Sequence, residues 1–378
     1  MTRAQRLGVV AVAAVTAFFL GSIPRVQGAA PQKWVSGFYV GYMSQPYPPN
    51  AIDYSALSHV IVFSVLPKAD GQLDTSLFVD PVRGPEIAKD VAKRAHAAGK
   101  KAILAVGGDG TAAGFRVATT PDRIAGFVQN LLRLATTWGF DGLDIDWEPL
   151  PASDYPTVLA VLKGIRATRP EMLLTADLGW QGRPLNAEDN DFYRQMAPLV
   201  DQMNMMTYSM SDNWGGWVVW HSSPIFGEGP DHPTSVDSSV SRYLNAGVPA
   251  SKLGVGIGFY GTCWNAPAMM PLQQPGASHV VASDNDMSFT NIKNLYYRQG
   301  NAHFDRNARA SYLSFLVPTG PRNCTFISYE DETSVAAKGL YIYQRGLGGA
   351  MIWHLNEGYN PKAPDPNGLL HAVARALR

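Results

Sequence analysis

Eight short runs rich in apolar and β-branched residues return along this chain, with helical patterns between them. The runs occupy 34–41, 58–65, 101–106, 142–147, 172–178, 202–207, 253–258 and 349–353. Parallel strands cannot be joined by tight turns and need a crossover of a dozen or more residues. The alternation therefore marks a parallel sheet covered by helices. The helices carry their own punctuation. Thr120-Pro121 reads as an N-cap followed by a first-turn proline; Ile124, Phe127, Val128, Leu131 and Leu134 then share one face, and Gly139 stops the run. Segments 86–98 with Gly99 and 334–345 with Gly346 repeat the pattern. Eight such units close into a (β/α)8 TIM barrel, an α/β fold whose active sites sit at the C-terminal strand ends.

One stretch breaks the rhythm. From Tyr260 to about Thr325 the chain has Gly, Pro, Asn and aromatic residues with short extended pieces. It reads as a short irregular or α+β insertion, at about 260–325, between strand 7 and the last helix. At the other end, Arg3 and Arg6 precede an apolar run over 7–20, followed by small residues with Val26 and Gly28 at cleavage-compatible positions. Residues 1–28 are thus expected to be a secretory signal peptide, with an uncleaved anchor as the alternative, and 29–378 to be the barrel. In an exported chain the two cysteines, Cys263 and Cys324, default to one disulfide at the roots of the insertion, against two buried thiols. No cysteine spacing suggests zinc, and neither metal nor cofactor is expected. The 31 basic and 31 acidic residues balance, and charged residues make up only 16% of the chain. That neutrality argues against nucleic acid and anionic membranes and suits a neutral polymer such as a polysaccharide. Nine tryptophans offer faces on which sugars stack. A secreted monomer is the expected state.

The chemistry concentrates in FDGLDIDWEP, residues 140–149. Asp144, Asp146 and Glu148 recur at every second position, so on a strand they share one face, spaced roughly 6.6 Å apart. Like charges crowded on an apolar strand raise one another's pKa and can hold a carboxyl protonated near neutrality. Leu143, Ile145 and Trp147 disfavour a merely solvated charge run, and three carboxylates on one strand make an awkward octahedron for a hard cation. Asp141 has the opposite parity and reads as structural.

DGLDIDWE resembles the DGxDxDxE signature of family 18 glycoside hydrolases, the chitinases and their relatives. Weaker pieces follow in the family's order: Gly41-Tyr42, Val106-Gly107-Gly108, Met206-Thr207-Tyr208, Gly258-Phe259-Tyr260-Gly261 and 348–353, ending in Trp353. Two positions depart from the pattern, Ala105 for a serine and Ser209 for an aspartate. The resemblance implies a retaining, substrate-assisted hydrolysis of β-1,4-linked N-acetylglucosamine polymers and oligomers. Glu148 would be the general acid and base. Asp146 would orient the acetamido group, Asp144 would share a proton with Asp146, and Tyr208 would bond the acetamido oxygen. Trp353 would floor the site, with Tyr42 supporting the inner aspartate. Met206, Phe259 and Tyr260 are further binding candidates, and Trp180, Trp214, Trp217, Trp220 and Trp264 are candidates for outer subsites. A catalytic role for His354 is not expected. An endo-β-N-acetylglucosaminidase acting on N-glycan cores, or an inactive chitin-binding lectin, remains an alternative.

Overall fold

In a computed structural model, residues 32–68, 70–211, 217–274 and 279–378 are described. The expected signal peptide lies outside the described residues, as does Trp214. Seven parallel strands come first: β1 (Trp34–Val40), β2 (His59–Pro67), β3 (Lys101–Gly108), β4 (Gly142–Trp147), β5 (Leu173–Gly179), β6 (Gln202–Met206) and β7 (Leu253–Gly258). The eighth barrel strand is Gly349–Trp353. It pairs with both β7 and β1, and β1 pairs with β2, so the ring is closed. Each expected strand is present, with ends shifted by a residue or two.

The helices between strands include α1 (Arg83–Ala97), α2 (Ala112–Ala118) and α3 (Ile124–Trp138). The α3 helix ends as its sequence predicts, with Gly139 at φ 81°. Its start differs: 121–123 form a turn, and the helix begins only at Ile124 without a side-chain cap. Outward-facing Leu143, Ile145 and Trp147 of β4 pack into the layer between barrel and helices. Inside the barrel, Phe38, Ile61, Ile103, Ala105 and Met351 form a separate apolar plug. The inward row of β4 stands on that plug. Among the described residues, no helix is long and apolar enough to cross a membrane.

The 260–325 stretch is more regular than its sequence suggests. Five antiparallel strands, β8 (Gly261–Trp264), β9 (Val280–Ala282), β10 (Ala302–Asp305), β11 (Ala310–Thr319) and β12 (Cys324–Tyr329), form one sheet in the order β9–β8–β12–β11–β10. Short strands and slips in register at Val280/Ala282 and Ser314/Thr319 blur the two-residue alternation that would have announced them. Cys263 and Cys324 are joined, with Cα atoms 5.5 Å apart and a sequence separation of 61. The bond does not lie at the roots. Tyr329 pairs with Gly261 nearest the barrel, and Cys324 begins β12 at the far end. It ties the central strand β12 to its neighbour β8.

Candidate active site

The C-terminal ends of the barrel strands surround a cavity of about 680 Å³. Glu148, one residue beyond β4, lines it together with Asp146, while Asp144 lies beneath, fully buried. The alternating parity of β4 produces this row: its apolar residues are drawn outward to the helices, which forces the acids inward. Asp141, at the opposite end of β4, is held by Lys101 at 2.8 Å, His96 at 2.8 Å and the Ala102 amide at 2.9 Å. It has the structural role its parity predicts.

The row has a fourth member that sequence reasoning missed. Asp177 on β5 is only 9% exposed, lines the cavity, and is hydrogen-bonded side chain to side chain with Asp144. Thr175, the β5 partner of Asp144 in register, donates a short hydrogen bond to the same carboxylate. Burial is the first cause of every pKa shift here. It pushes Asp144 up to about 6, with Thr175 and Asp177 opposing. Burial, then the charges of Glu148 and Asp144, raise Asp146 well above the carboxylate range. Asp177 is raised well above it too, by burial and then by Asp144 and Asp146. Glu148 is raised by burial, with a hydrogen bond from Asp146 opposing and the charge of Asp109 assisting. Carboxyls in contact can bond only by keeping protons, so the row near neutrality carries fewer charges than it has acids. Glu148, its carboxyl raised by burial and lining the cavity, is placed to exchange a proton with a bound oxygen.

Apolar and phenolic groups complete the cavity. Trp353 packs on Phe38 and Phe63, with centroids 5.3 and 4.9 Å away, and its indole N–H reaches Asp284. Tyr208 stands edge-on to Tyr260, its hydroxyl 3.9 Å from the Met351 sulfur. Met206 and Tyr260 line the cavity as well. Ser209 adopts φ 46°, and its hydroxyl and that of Tyr260 lie 2.6 Å apart. Ser209 thus sits at the wall without a charge.

Five expectations need correction. Tyr42 lines the cavity as a binding candidate should, but on its rim and not as a support of the buried Asp144: it is 41% exposed, edge-on to Phe78 and His354. Phe259 is buried under Gly358, where even a Cβ would meet its ring at 2.4 Å, and it does not line the cavity. Trp264 is wholly buried inside the insertion against Phe326, because its position on β8 turns it into that sheet's own core. Trp220 is buried beside His232, with its N–H on the Thr234 carbonyl at 3.2 Å. Trp217 is half-buried behind Trp180, 6.4 Å between centroids, and only Trp180 reaches the cavity. Besides Asp177, the residues missed are Phe63, Phe78, Asp109 and Asp284. A lone aspartate in the apolar 172–178 run was the one available signal for Asp177. Asp284 had none.

A closed (β/α)8 barrel with stacked acids under an aromatic-walled cleft defines a glycosidase-type barrel. The chain belongs to the glycosyl hydrolases family 18, whose model matches residues 37–358. It is 26% identical over 362 residues to the class V chitinase of Arabidopsis thaliana, covering 89% of this chain and 88% of that one. A chitotriosidase-1 of Mus musculus is 28% identical over 334 residues, covering 82% and 68%. A probable endochitinase of Caenorhabditis elegans is 26% identical over 273 residues, and the match spans 66% of this chain but only 42% of that protein. Two solved structures share the fold at 22% identity and TM-score 0.74. One is a mutant class V chitinase of Nicotiana tobaccum in complex with NAG4, covering 92% of this chain and 99% of that one. The other is a chitinase-like agglutinin of Robinia pseudoacacia, covering 91% and 99%.

Proposed function

We propose that the chain hydrolyses β-1,4-linked N-acetylglucosamine polymers and oligomers with retention of configuration. The observation that carries this reading is Glu148 at the cavity mouth, hydrogen-bonded to Asp146 above the buried Asp144–Asp177 pair. Glu148 protonates the glycosidic oxygen as the substrate's acetamido oxygen attacks the anomeric carbon. Asp146 accepts the acetamido N–H and, together with the ionised Asp144 with which it shares a proton, stabilises the developing positive charge. Tyr208 directs its hydroxyl at the acetamido oxygen, and Trp353 supports the sugar from below. Glu148 then activates water to open the cyclic intermediate. The mature chain, 29–378, acts as an exported monomer.

The test is hydrolysis of N-acetylglucosamine hexamer by the mature chain and by Glu148→Gln. The wild type should release fragments whose first-formed anomer is β by NMR, and the variant none. An initial α anomer would sink the mechanism. Ser209 and the agglutinin of the same fold favour one second reading, a sugar-binding barrel. Saturable hexamer binding without cleavage by the wild type would select it.

A further inference from the structure

At the rim of the cleft, behind the Trp353 floor, three side chains from two parts of the fold converge. His354 directly follows the last barrel strand. Glu357 lies three residues on, in the short helix Leu355–Gly358, and so returns to the same face. Asp284 comes from the insertion, at the start of the 3-10 segment Asp284–Met287. One ligand atom from each lies within 4.8 Å of the others. Within the buried pair, His354 Nε2 lies 3.7 Å from Glu357 Oε2.

Two features set this cluster apart from an ordinary acidic patch. His354 and Glu357 are completely buried, and neither imidazole nitrogen nor either carboxylate oxygen reaches a hydrogen-bond partner. The neighbouring Asn356 side chain interacts with His354, but its amide is committed to Val40 on both sides. Its carbonyl accepts from the Val40 amide at 3.0 Å, and its NH2 donates to the Val40 carbonyl at 3.2 Å. Buried polar groups are almost always satisfied, so a bare imidazole nitrogen and a bare carboxylate oxygen 3.7 Å apart call for a shared partner. A histidine–glutamate pair bonding only to itself would close to about 2.8 Å. Separations of roughly 3.4 Å are instead those of neighbouring ligands around a tetrahedral ion with bonds of about 2.1 Å. Asp284 keeps capacity for the third bond. A carboxylate accepts at about four lone-pair sites, and Asp284 uses some of them for the Asn285 amide at 2.7 Å and the Trp353 indole.

We infer that Asp284, His354 and Glu357 bind one first-row divalent cation of the Zn2+ type. One imidazole and two carboxylates suit that class better than Mg2+ or Ca2+, which take oxygen ligands. Two carboxylate charges neutralise the ion. Its place is structural: by holding Asp284 it would fix the bond to Trp353 and fasten the insertion to the barrel. This departs from the metal-free expectation of the sequence, where Asp284 and Glu357 stand 73 residues apart with no motif between them.

The test uses the mature chain without affinity histidines, stripped with a chelator and dialysed against low-micromolar Zn2+. Metal content should reach one equivalent. Asp284→Asn and Glu357→Gln, each nearly isosteric, should weaken binding at least tenfold with unchanged circular dichroism, since even outer-shell changes cost about 10- to 100-fold. Co2+ should give visible absorption bands in the wild type that are absent from His354→Gln. Should that variant fail to fold, the two carboxamide variants decide. No stoichiometric Zn2+ on the wild type, or uptake equal in wild type and both carboxamide variants, would overturn the assignment.

Discussion

Two replacements of Asp177 separate a carboxyl that donates a proton from one that carries charge. Asp177 and Asp144 are hydrogen-bonded to each other, which requires one of them to be protonated. Asp144 has the Thr175 hydroxyl as a second donor and rises only to about 6, whereas burial and the facing acids hold Asp177 well above the carboxylate range. The proton therefore rests on Asp177, and Asp144 accepts. Asp177→Asn keeps both a donor and a neutral side chain at this place, whereas Asp177→Ala removes the donor. A hydrogen bond to a charged group contributes about 1.5–3 kcal/mol. If the ionised Asp144 is needed in the transition state, losing that bond should lower kcat/KM about 10- to 150-fold. Asp177→Asn should stay within about threefold of wild type near pH 7, where Asp144 is ionised. Initial rates on N-acetylglucosamine hexamer, with a melting curve for each variant, measure this. If the asparagine variant is as damaged as the alanine variant, the neutral-donor argument is wrong and Asp177 acts as a charge.

Three further outcomes are expected. Tyr208→Phe should lose about 10²-fold or more in kcat, as removal of one oxyanion-type donor does, while its melting temperature barely moves; an unchanged kcat would leave that hydroxyl no role beyond Met351. Reduction of Cys263–Cys324 should cost about 2–4 kcal/mol in denaturant unfolding, because it releases a 61-residue loop in the unfolded chain; a shift below about 0.5 kcal/mol would refute the loop-entropy account. The Asp144 carboxyl is raised from 3.8 to about 6 on folding, so its contribution to stability is complete below about pH 4 and is lost as pH rises through about 6. Asp144→Asn should flatten the wild-type decline in melting temperature over that window, and parallel curves for the two proteins would contradict the shift.

The barrel was legible because its strands are buried on both faces and announce themselves as unbroken apolar runs. The parity of 144, 146 and 148 was legible for a related reason, since a strand's two-residue period is local information. Asp177 was not, because only the pairing of Asp144 with Thr175 brings β5 alongside the row. Aromatic residues failed in a different way. Trp264 and Phe259 follow a strand end just as Tyr260 does, yet which of them faces the cleft depends on the insertion sheet they enter. That sheet was itself obscured by its slipped registers.

Asp141 gives the row an unexpected guardian. Its carboxylate grips Lys101, His96 and the Ala102 amide at the bottom of the barrel, roughly 23 Å of strand below Glu148 at about 3.3 Å per residue. Beside it, Gly142 runs so close to β5 that a Cβ would meet the Leu173 carbonyl at 2.4 Å. Together they act as the zero mark of a ruler. Between that mark and the cleft, inherited change by substitution is open, but gain or loss of a single codon is not. A one-residue slip would turn the acids toward the helices and bring Leu143, Ile145 and Trp147 into the barrel. A lineage can therefore retune the acids of this strand one at a time, while its length is held constant by a residue that never meets the substrate.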